Sequence, residues 1–112
     1  MKLVTAVIKP TRLEVVKQAL EEIGVRGMTL TEVQGFGRQP GHTEVYRGTE
    51  YKVSFNPKIR IEILTDTFEA DRVVDVLTEA ARTGGIGDGK VWLTDVERVV
   101  RVRTGEENTE AV

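Results

Sequence analysis

The stretch KIRIEILT, residues 58–65, alternates apolar and polar side chains almost without interruption. Its isoleucines therefore share one face of an extended chain, while Arg60, Glu62 and Leu64 share the other. A period of two predicts a β-strand. From the order of the elements around it, this strand is the third of the predicted sheet.

The N-terminal segment predicts a strand followed by a helix. Residues 2–9 are rich in β-branched and apolar side chains on both faces, and Pro10 ends them. Thr11 and Glu14 have the spacing of a capping box, in which a hydroxyl and a carboxylate satisfy free N–H groups at a helix start. Apolar residues then recur at helical spacing as far as Gly24, a suitable helix stop.

Three further segments, together with the strand at residues 58–65, complete two successive strand-helix-strand units. Residues 28–35 read as a second strand, and 68–82 have the apolar spacing of an amphipathic helix. Residues 90–102 are rich in β-forming residues and predict a strand followed by a second short extended piece. Strand, helix, strand therefore occurs twice. This predicts an α+β domain of the ferredoxin-like βαββαβ type, residues 1–112, with both helices on one face of an antiparallel sheet.

The second face of this sheet has no predicted cover. Residues 2–9 are apolar on both faces, and a large apolar patch on a protein surface usually marks an interface. We therefore expect the bare face to be buried in a cyclic oligomer. A monomer is the alternative.

Composition excludes several classes of protein. With 112 residues, 39% hydrophobic and 30% charged, the chain is typical of one soluble globular domain. A net charge of -2 gives no general attraction to nucleic acid or anionic membranes, so any anion site must be local. The absence of cysteine excludes thiolate ligands and nucleophiles. The short apolar run near the N-terminus predicts neither a signal peptide nor a membrane span, which favours the cytoplasm.

A long polar insertion, FGRQPGHTEVYRGTEYKVSFN at residues 36–56, separates the second strand from the third. It contains the single histidine and both tyrosines, and it mixes charged with apolar residues. Unstructured connections of this length are uncommon in compact domains and are usually functional or disordered. We therefore interpret the insertion as a mobile recognition arm.

A glycine-rich turn, RTGGIGDGK at residues 82–90, joins the second helix to the last strand. Glycine permits positive φ and close approach, so successive N–H groups can form an anion-binding nest to which Lys90 adds a point charge. A helix stop followed by a tight turn, without a ligand, is the alternative interpretation.

Two arginines, Arg101 and Arg103, follow soon after this turn and favour an anion site. In an extended segment their guanidinium groups project to the same side, suited to a polyphosphate, while Val100 and Val102 face the core. As an isolated pair they would indicate only a solvated edge.

Several residues in and beside the insertion could carry chemistry. Gln39, in a second glycine-rich turn, can offer a carbonyl oxygen to Mg²⁺. Lys58 can pair with a small dianion, or alternatively act as a strand-edge lysine that deters aggregation. His42 has no second His or Cys for a metal site and reads as a solvated side chain. Tyr51 is either a loop anchor or a target for covalent modification.

Together, EVQGFGRQPGHTEVYRGTEY, RTGGIGDGK and the closing VRVRTGE closely resemble the PII nitrogen-regulatory signal proteins. The resemblance covers almost the whole chain and implies a ferredoxin-like cyclic homotrimer with a nucleotide site in each cleft between subunits. It implies a target-docking T-loop at residues 36–56, a B-loop at 82–90, and a C-terminal loop and tail at 99–112.

The resemblance also implies ligand positions. Those for ATP or ADP correspond to Thr29, Gly37, Arg38, Gln39, Glu62, Leu64, Gly87, Asp88, Gly89, Lys90, Arg101 and Arg103. Those for the effector 2-oxoglutarate, bound with Mg-ATP, correspond to Gln39, Gly41, Lys58 and Gly87, and Gln39 also matches the Mg²⁺ ligand. Tyr51 matches the family's nucleotidylation site, which is uridylylated in some bacteria and adenylylated in others.

These positions imply a cytoplasmic nitrogen-regulatory sensor with no chemistry of its own. Its targets would be an ammonium channel, a nucleotidylyltransferase, or a nitrogen-metabolism enzyme or regulator, and it would meet a membrane only by recruitment to a channel. The alternative is a ferredoxin-like phosphotransferase with His42 as nucleophile, although no orienting base is evident. An RNA-binding sheet is less well supported, because the strands offer only Trp92 for base stacking.

Overall fold

A computed structural model describes residues 1–37 and 55–112 of the chain. Strand, helix, strand occurs twice along it, as the sequence predicts. The elements are β1 (Lys2–Ile8), α1 (Leu13–Glu22), β2 (Thr29–Gly35), β3 (Asn56–Thr65), α2 (Ala70–Ala81) and β4 (Gly89–Asp95), with short 3₁₀ helices at Pro10–Arg12 and Asn108–Ala111. Neither α-helix of the described ranges is long and apolar enough to cross a membrane.

The four strands form one antiparallel sheet in the order β2-β3-β1-β4. The strand with the clean alternation, β3, and the strand that is apolar on both faces, β1, are the two central ones. This order and the two helices confirm the predicted α+β fold and agree with the ferredoxin-like pattern. At one end of β1, Leu3 pairs with Leu64 of β3, and at the other end Ile8 pairs with Gly89 of β4.

The hydrophobic core lies between one face of the sheet and the two helices. Alternate residues of the central strands supply the sheet side, because a period of two directs them to a single face. The helices supply residues at intervals of four. The most deeply buried are Val4, Ala6 and Ile8 of β1, Ile61 and Ile63 of β3, Val16 and Leu20 of α1, and Val73 and Leu77 of α2.

The other face of the sheet is covered by neither helix. On it, Thr5 lies in register between Glu62 of β3 and Trp92 of β4, and is buried. Leu64 and Trp92 remain 41% and 42% exposed. Apolar side chains thus stay accessible on this face, and the oligomer expected to bury them stays a prediction.

The start of α1 differs from the predicted capping box. Pro10 opens a 3₁₀ turn that already contains Thr11, so the residue that caps α1 is Arg12, with no side-chain capping bond. The Arg12 guanidinium instead donates to the carbonyl of Ala80 at the end of α2, with its Nη2 2.7 Å from that oxygen. Proline favours the first turn of a helix, which moved the cap beyond Thr11.

The end of α1 is as predicted. Gly24 has a φ of +93°, which glycine adopts without strain. The amide of Val25 donates to Leu20 and that of Gly24 donates to Glu21, both at 3.0 Å. This pair of bonds is the Schellman motif that closes many helices.

Residues 90–102 form a strand and a separate short extended piece, as the sequence predicts, and the second piece lies outside the sheet. β4 ends at Asp95, and the chain then folds back on itself in what we call the C-terminal hairpin, residues 98–108. Val102 is 99% exposed and Val100 is 46% exposed, so the prediction that both face the core is wrong. The alternating pattern is satisfied locally: Val100 pairs with Glu107 within the hairpin instead of extending the sheet.

Candidate functional site

The glycine turn, residues 83–90, is built around the carboxylate of Asp88. This carboxylate accepts the amides of Thr83 and Gly84, each at 2.9 Å, as well as the Thr83 hydroxyl. The ammonium of Lys9, just after β1, lies 3.1 Å from it. The hydrogen bonds from Thr83, together with Lys9, hold the pKa of Asp88 well below its usual range. Asp88 therefore acts inside the turn, where it closes the loop.

Gly89 locks this turn onto the sheet. Its φ is +98°, and a Cβ at this position would lie 1.7 Å from the carbonyl oxygen of Val7. Contact at that distance is impossible without movement of the backbone of β1 or β4. Glycine is thus required here for both backbone conformation and close approach. The position of the turn is set by the register of the central sheet.

Lys58 connects β3 to the same turn. Its side chain is 8% exposed, and its Nζ donates to the carbonyl of Gly87 at 2.6 Å. The side chain runs along Gly35, where a Cβ would lie 3.2 Å from the lysine Cγ. Lys58 is therefore not an exposed strand-edge lysine. Within the described ranges no carboxylate pairs with this buried ammonium, so it has the charge and the setting to receive an anion.

The exposed side of the turn also suits an anion. In residues 1–37 and 55–112, the amides of Ile86 and Gly87 donate to no protein acceptor, and Lys90 makes no ion pair. Gly87 has a φ of +94°. Successive free N–H groups around such a residue can form a concave anion site, with Lys90 as its point charge.

A separate cleft of about 1060 Å³ opens near the start of β2 and the end of β3. Four of the predicted ligand residues line it: Thr29, Glu62, Leu64 and Arg101. Thr29 and Glu62 are direct partners across β2 and β3, and Arg101 is contributed by the C-terminal hairpin. Arg103 lies in the exposed turn of that hairpin and does not line the cleft.

The turn and the cleft are distinct within one chain. Leu64 pairs with Leu3 and Gly89 pairs with Ile8, so the two sites lie toward opposite ends of β1, about 17 Å apart along the strand. No residue of the glycine turn lines the cleft. A single chain therefore brings the predicted ligand residues together in two groups, not in one site.

The remaining predicted residues concern the insertion. Gly37 is exposed at its first root, near the tilted ring pair of Phe36 and Phe55, whose centroids are 6.1 Å apart. Five further predicted positions, namely Arg38, Gln39, Gly41, His42 and Tyr51, lie outside the described residues. Among the described residues, no three acidic or histidine side chains gather as a metal site would require.

Sequence reasoning missed two functions of carboxylates. It placed Asp88 among the ligand positions and gave no role to its carboxylate, which organises the turn. The available signal was the pair Thr83 and Asp88, the two polar residues that bracket the inner glycines. It also missed that Arg101 forms an ion pair with Glu106, at 2.8 Å, inside the C-terminal hairpin.

Known proteins are similar to this chain along its whole length, including the glycine turn and the cleft residues. The family model described as nitrogen regulatory protein P-II matches residues 1–106. Similar curated proteins include the nitrogen regulatory proteins P-II of Pasteurella multocida, 53% identical, and of Azospirillum brasilense, 52% identical. The nitrogen regulatory protein GlnK of Escherichia coli is 52% identical. Each alignment spans 112 residues and covers 100% of both chains.

Proposed function

This chain belongs to the nitrogen regulatory protein P-II family, and we propose that it is a signal protein that reads ATP or ADP together with 2-oxoglutarate. The observation that carries the proposal is the division of the predicted ligand residues between the glycine turn and the cleft. Each group has ligand-binding chemistry, and each is incomplete alone. A cyclic homotrimer would complete the site by placing the turn of one subunit against the cleft of the next.

The nucleotide would lie across this junction. The amides near Gly87 and the ammonium of Lys90 favour its phosphates, because free N–H groups and a point charge are the usual partners of phosphate oxygens. Thr29, Glu62 and Leu64 would surround the base and ribose. The two hairpin arginines and the root residues Gly37 and Arg38 would add contacts to the phosphates.

The effector would bind at Lys58. Its ammonium is almost buried and has no carboxylate partner in the described part of the chain, a setting that suits one carboxylate of 2-oxoglutarate. Mg²⁺, when present, would polarise phosphate and effector oxygens, and the side chain of Gln39 would help to hold it. The same ammonium donates to the carbonyl of Gly87. An anion bound to Lys58 would therefore contact a group that is also hydrogen-bonded to the glycine turn.

The output would be the conformation of residues 36–56. Both roots of this segment adjoin the ligand positions, so a ligand that prefers one arrangement of the roots shifts the population of the whole segment. Targets of the classes expected from the resemblance would dock there, and nucleotidylation of Tyr51 would add charge at the same surface. No catalytic step is assigned to the chain, and we place it in the cytoplasm.

Subunit mixing tests the shared site directly. Lys90→Gln damages the turn and Arg101→Gln damages the cleft, so each variant alone should bind ATP weakly. When the two variants are refolded together, some clefts receive an intact turn from one subunit and an intact hairpin from the other. Recovery of ATP binding supports a site between subunits. No recovery in verified mixed oligomers would place the site within single chains and refute the proposal.

Calorimetry tests the effector. We expect 2-oxoglutarate to bind in the presence of Mg-ATP and not in its absence. Lys58→Met should weaken that binding by about tenfold or more, because a charged hydrogen bond contributes roughly 1.5–3 kcal/mol. Lys17→Met is the matched control, since Lys17 only approaches Glu21 on the surface of α1, at 3.7 Å. Equal affinity without Mg-ATP, or after Gln39→Ala, would rule out this mechanism.

A mass measurement tests the modification. Intact protein from native cells starved of nitrogen and from cells fed with ammonium should differ by a nucleotidyl group. Tyr51→Phe should abolish the difference, with Tyr46→Phe as the control that retains it. The same mass in both conditions would remove Tyr51 modification from the proposed function.

A further inference from the structure

Arg101 is already neutralised by a carboxylate of its own hairpin. Glu106 Oε1 accepts from Arg101 Nη1 at 2.8 Å and from the Thr104 hydroxyl at 2.7 Å. The backbones of the same two residues are also bonded, with the Arg101 amide 2.8 Å from the Glu106 carbonyl oxygen. The carboxylate is therefore held against the guanidinium by its neighbours and by the main chain.

The position of this ion pair matters because Arg101 lines the cleft. The side chains of Arg101 and Glu106 are 39% and 40% exposed, so the pair remains open to a ligand. The same hairpin contains a second ion pair, between Arg98 and Glu107, and neither of these residues lines the cleft. The two pairs have the same chemistry, and only one of them can meet a ligand in the cleft.

We propose that Glu106 is an internal competitor for Arg101 that weakens phosphate binding, and weakens it more as the number of phosphate charges rises. The inference rests on the proposed nucleotide site. A guanidinium binds carboxylate and phosphate with the same fork of N–H groups, so the two anions exclude one another at Nη1. A ligand must displace Glu106 or bind beside its negative charge.

The size of this effect depends on the charge of the ligand. Repulsion from a fixed carboxylate scales with the number of phosphate charges near it, so ATP is penalised more than ADP, and ADP more than AMP. Glu106 would thus reduce the advantage that the extra phosphate gives to ATP. The affinities of ATP and ADP for the site would then differ less than they would without Glu106.

Glu106→Gln separates the charge of this side chain from its shape. The amide keeps an oxygen that can accept from Arg101 and Thr104 and loses only the negative charge. We expect the affinity for ATP, measured by calorimetry without Mg²⁺, to rise about fivefold, and that for AMP to rise at most about twofold. The gain should shrink in high salt, because these charges are exposed and screened.

Glu107→Gln is the matched control. It makes the same chemical change one residue away, alters the net charge equally and breaks the Arg98 pair, which lies outside the cleft lining. Its ATP affinity should equal that of the wild type. Thr104→Ala, which removes the second anchor of Glu106, should shift ATP affinity in the same direction as Glu106→Gln by a smaller factor.

The outcomes separate this inference from the function on which it rests. If the wild-type protein binds none of the three nucleotides, the proposed function itself is wrong. If the wild type binds ATP while Glu106→Gln matches Glu107→Gln, or binds ATP more weakly than the wild type, then Glu106 does not compete. A weaker variant would mean that the carboxylate orients Arg101 for the ligand. Equal gains for ATP and AMP would overturn the dependence on charge.

Discussion

The glycine turn and the C-terminal hairpin both carry basic residues suited to phosphate, but they are held in very different ways. The turn is attached to the central sheet through Gly89 against Val7, and is closed from inside by Asp88. The hairpin bonds mainly to itself, through Arg98 with Glu107 and Arg101 with Glu106, at side chains that are at least 39% exposed.

This difference indicates that the two regions would contribute differently to ligand binding. Exposed ion pairs contribute about 0–1 kcal/mol each, so the hairpin can change its contacts at little cost. The turn cannot move without disturbing the register of β1 and β4. In the proposed site, one half would therefore provide a constant phosphate cradle, and the other half would adjust to the ligand that is present.

The largest expected effect tests the attachment of the turn. Gly89→Ala should reduce the free energy of unfolding by roughly 3–4 kcal/mol, from the contact with Val7 and the positive φ together. Gly84→Ala is the control, because Gly84 has a φ of +86° and nothing within 4 Å of an added Cβ. Its cost should be about 1 kcal/mol in urea denaturation. Equal costs would show that the turn is not locked to the sheet.

A smaller effect tests how the turn is closed. Asp88→Asn should lower the melting temperature at pH 7, because a neutral amide is a weaker acceptor for Thr83, Gly84 and Lys9. The folded pKa of Asp88 lies below its usual value of 3.8, so the carboxylate stabilises the protein above that value and loses its contribution as the pH falls. The gap between wild type and variant should stay constant from pH 7 to 5 and shrink below about pH 4.

Asp75→Asn provides the comparison for this experiment. Asp75 lies exposed on α2, and within the part of the chain that the structure describes its carboxylate makes no hydrogen bond or ion pair. Its replacement should change the melting temperature little at any of these pH values. If Asp75→Asn and Asp88→Asn had the same effect at pH 7, the internal role of Asp88 would be wrong.

The smallest expected effect tests the hairpin. Arg98→Gln removes its more exposed ion pair and should change the free energy of unfolding by no more than about 0.5 kcal/mol. The measurement is urea denaturation, with Arg26→Gln as a control outside the hairpin. A cost near that of Gly89→Ala would mean that the hairpin is held as firmly as the turn, and the contrast between the two regions would be lost.

The parts of the fold that depend on regular periods could be predicted from sequence. Alternation in β3 located its buried face, and the helical spacing before Gly24 located the end of α1, because both patterns are set by local geometry. The observed starts of both elements differ from the predicted ones. β3 begins at Asn56, two residues before the predicted strand, and α1 begins after a 3₁₀ turn that displaced the cap from Thr11.

The parts that depend on distant partners could not be predicted. Val100 and Val102 alternate as a strand would, but β4 ends at Asp95 and the hairpin supplies a local partner instead. The bond from Lys58 to Gly87 joins residues with no common sequence pattern. The glycines of the turn predicted an anion site. Their spacing could not indicate that the other predicted ligand residues line a separate cleft toward the opposite end of β1.

The contact between Gly89 and Val7 also bears on how the protein folds. Pairing of β1 with β4 joins strands from near the two ends of the chain, and closing so long a loop costs more entropy than forming a neighbouring contact. Until β1 and β4 have paired, the turn has no strand to pack against, even if both helices have already formed. A nucleotide bound at the turn would therefore bind only the fully folded chain. At a free concentration of 100 times its Kd, it would stabilise the folded state by about 2.7 kcal/mol through mass action.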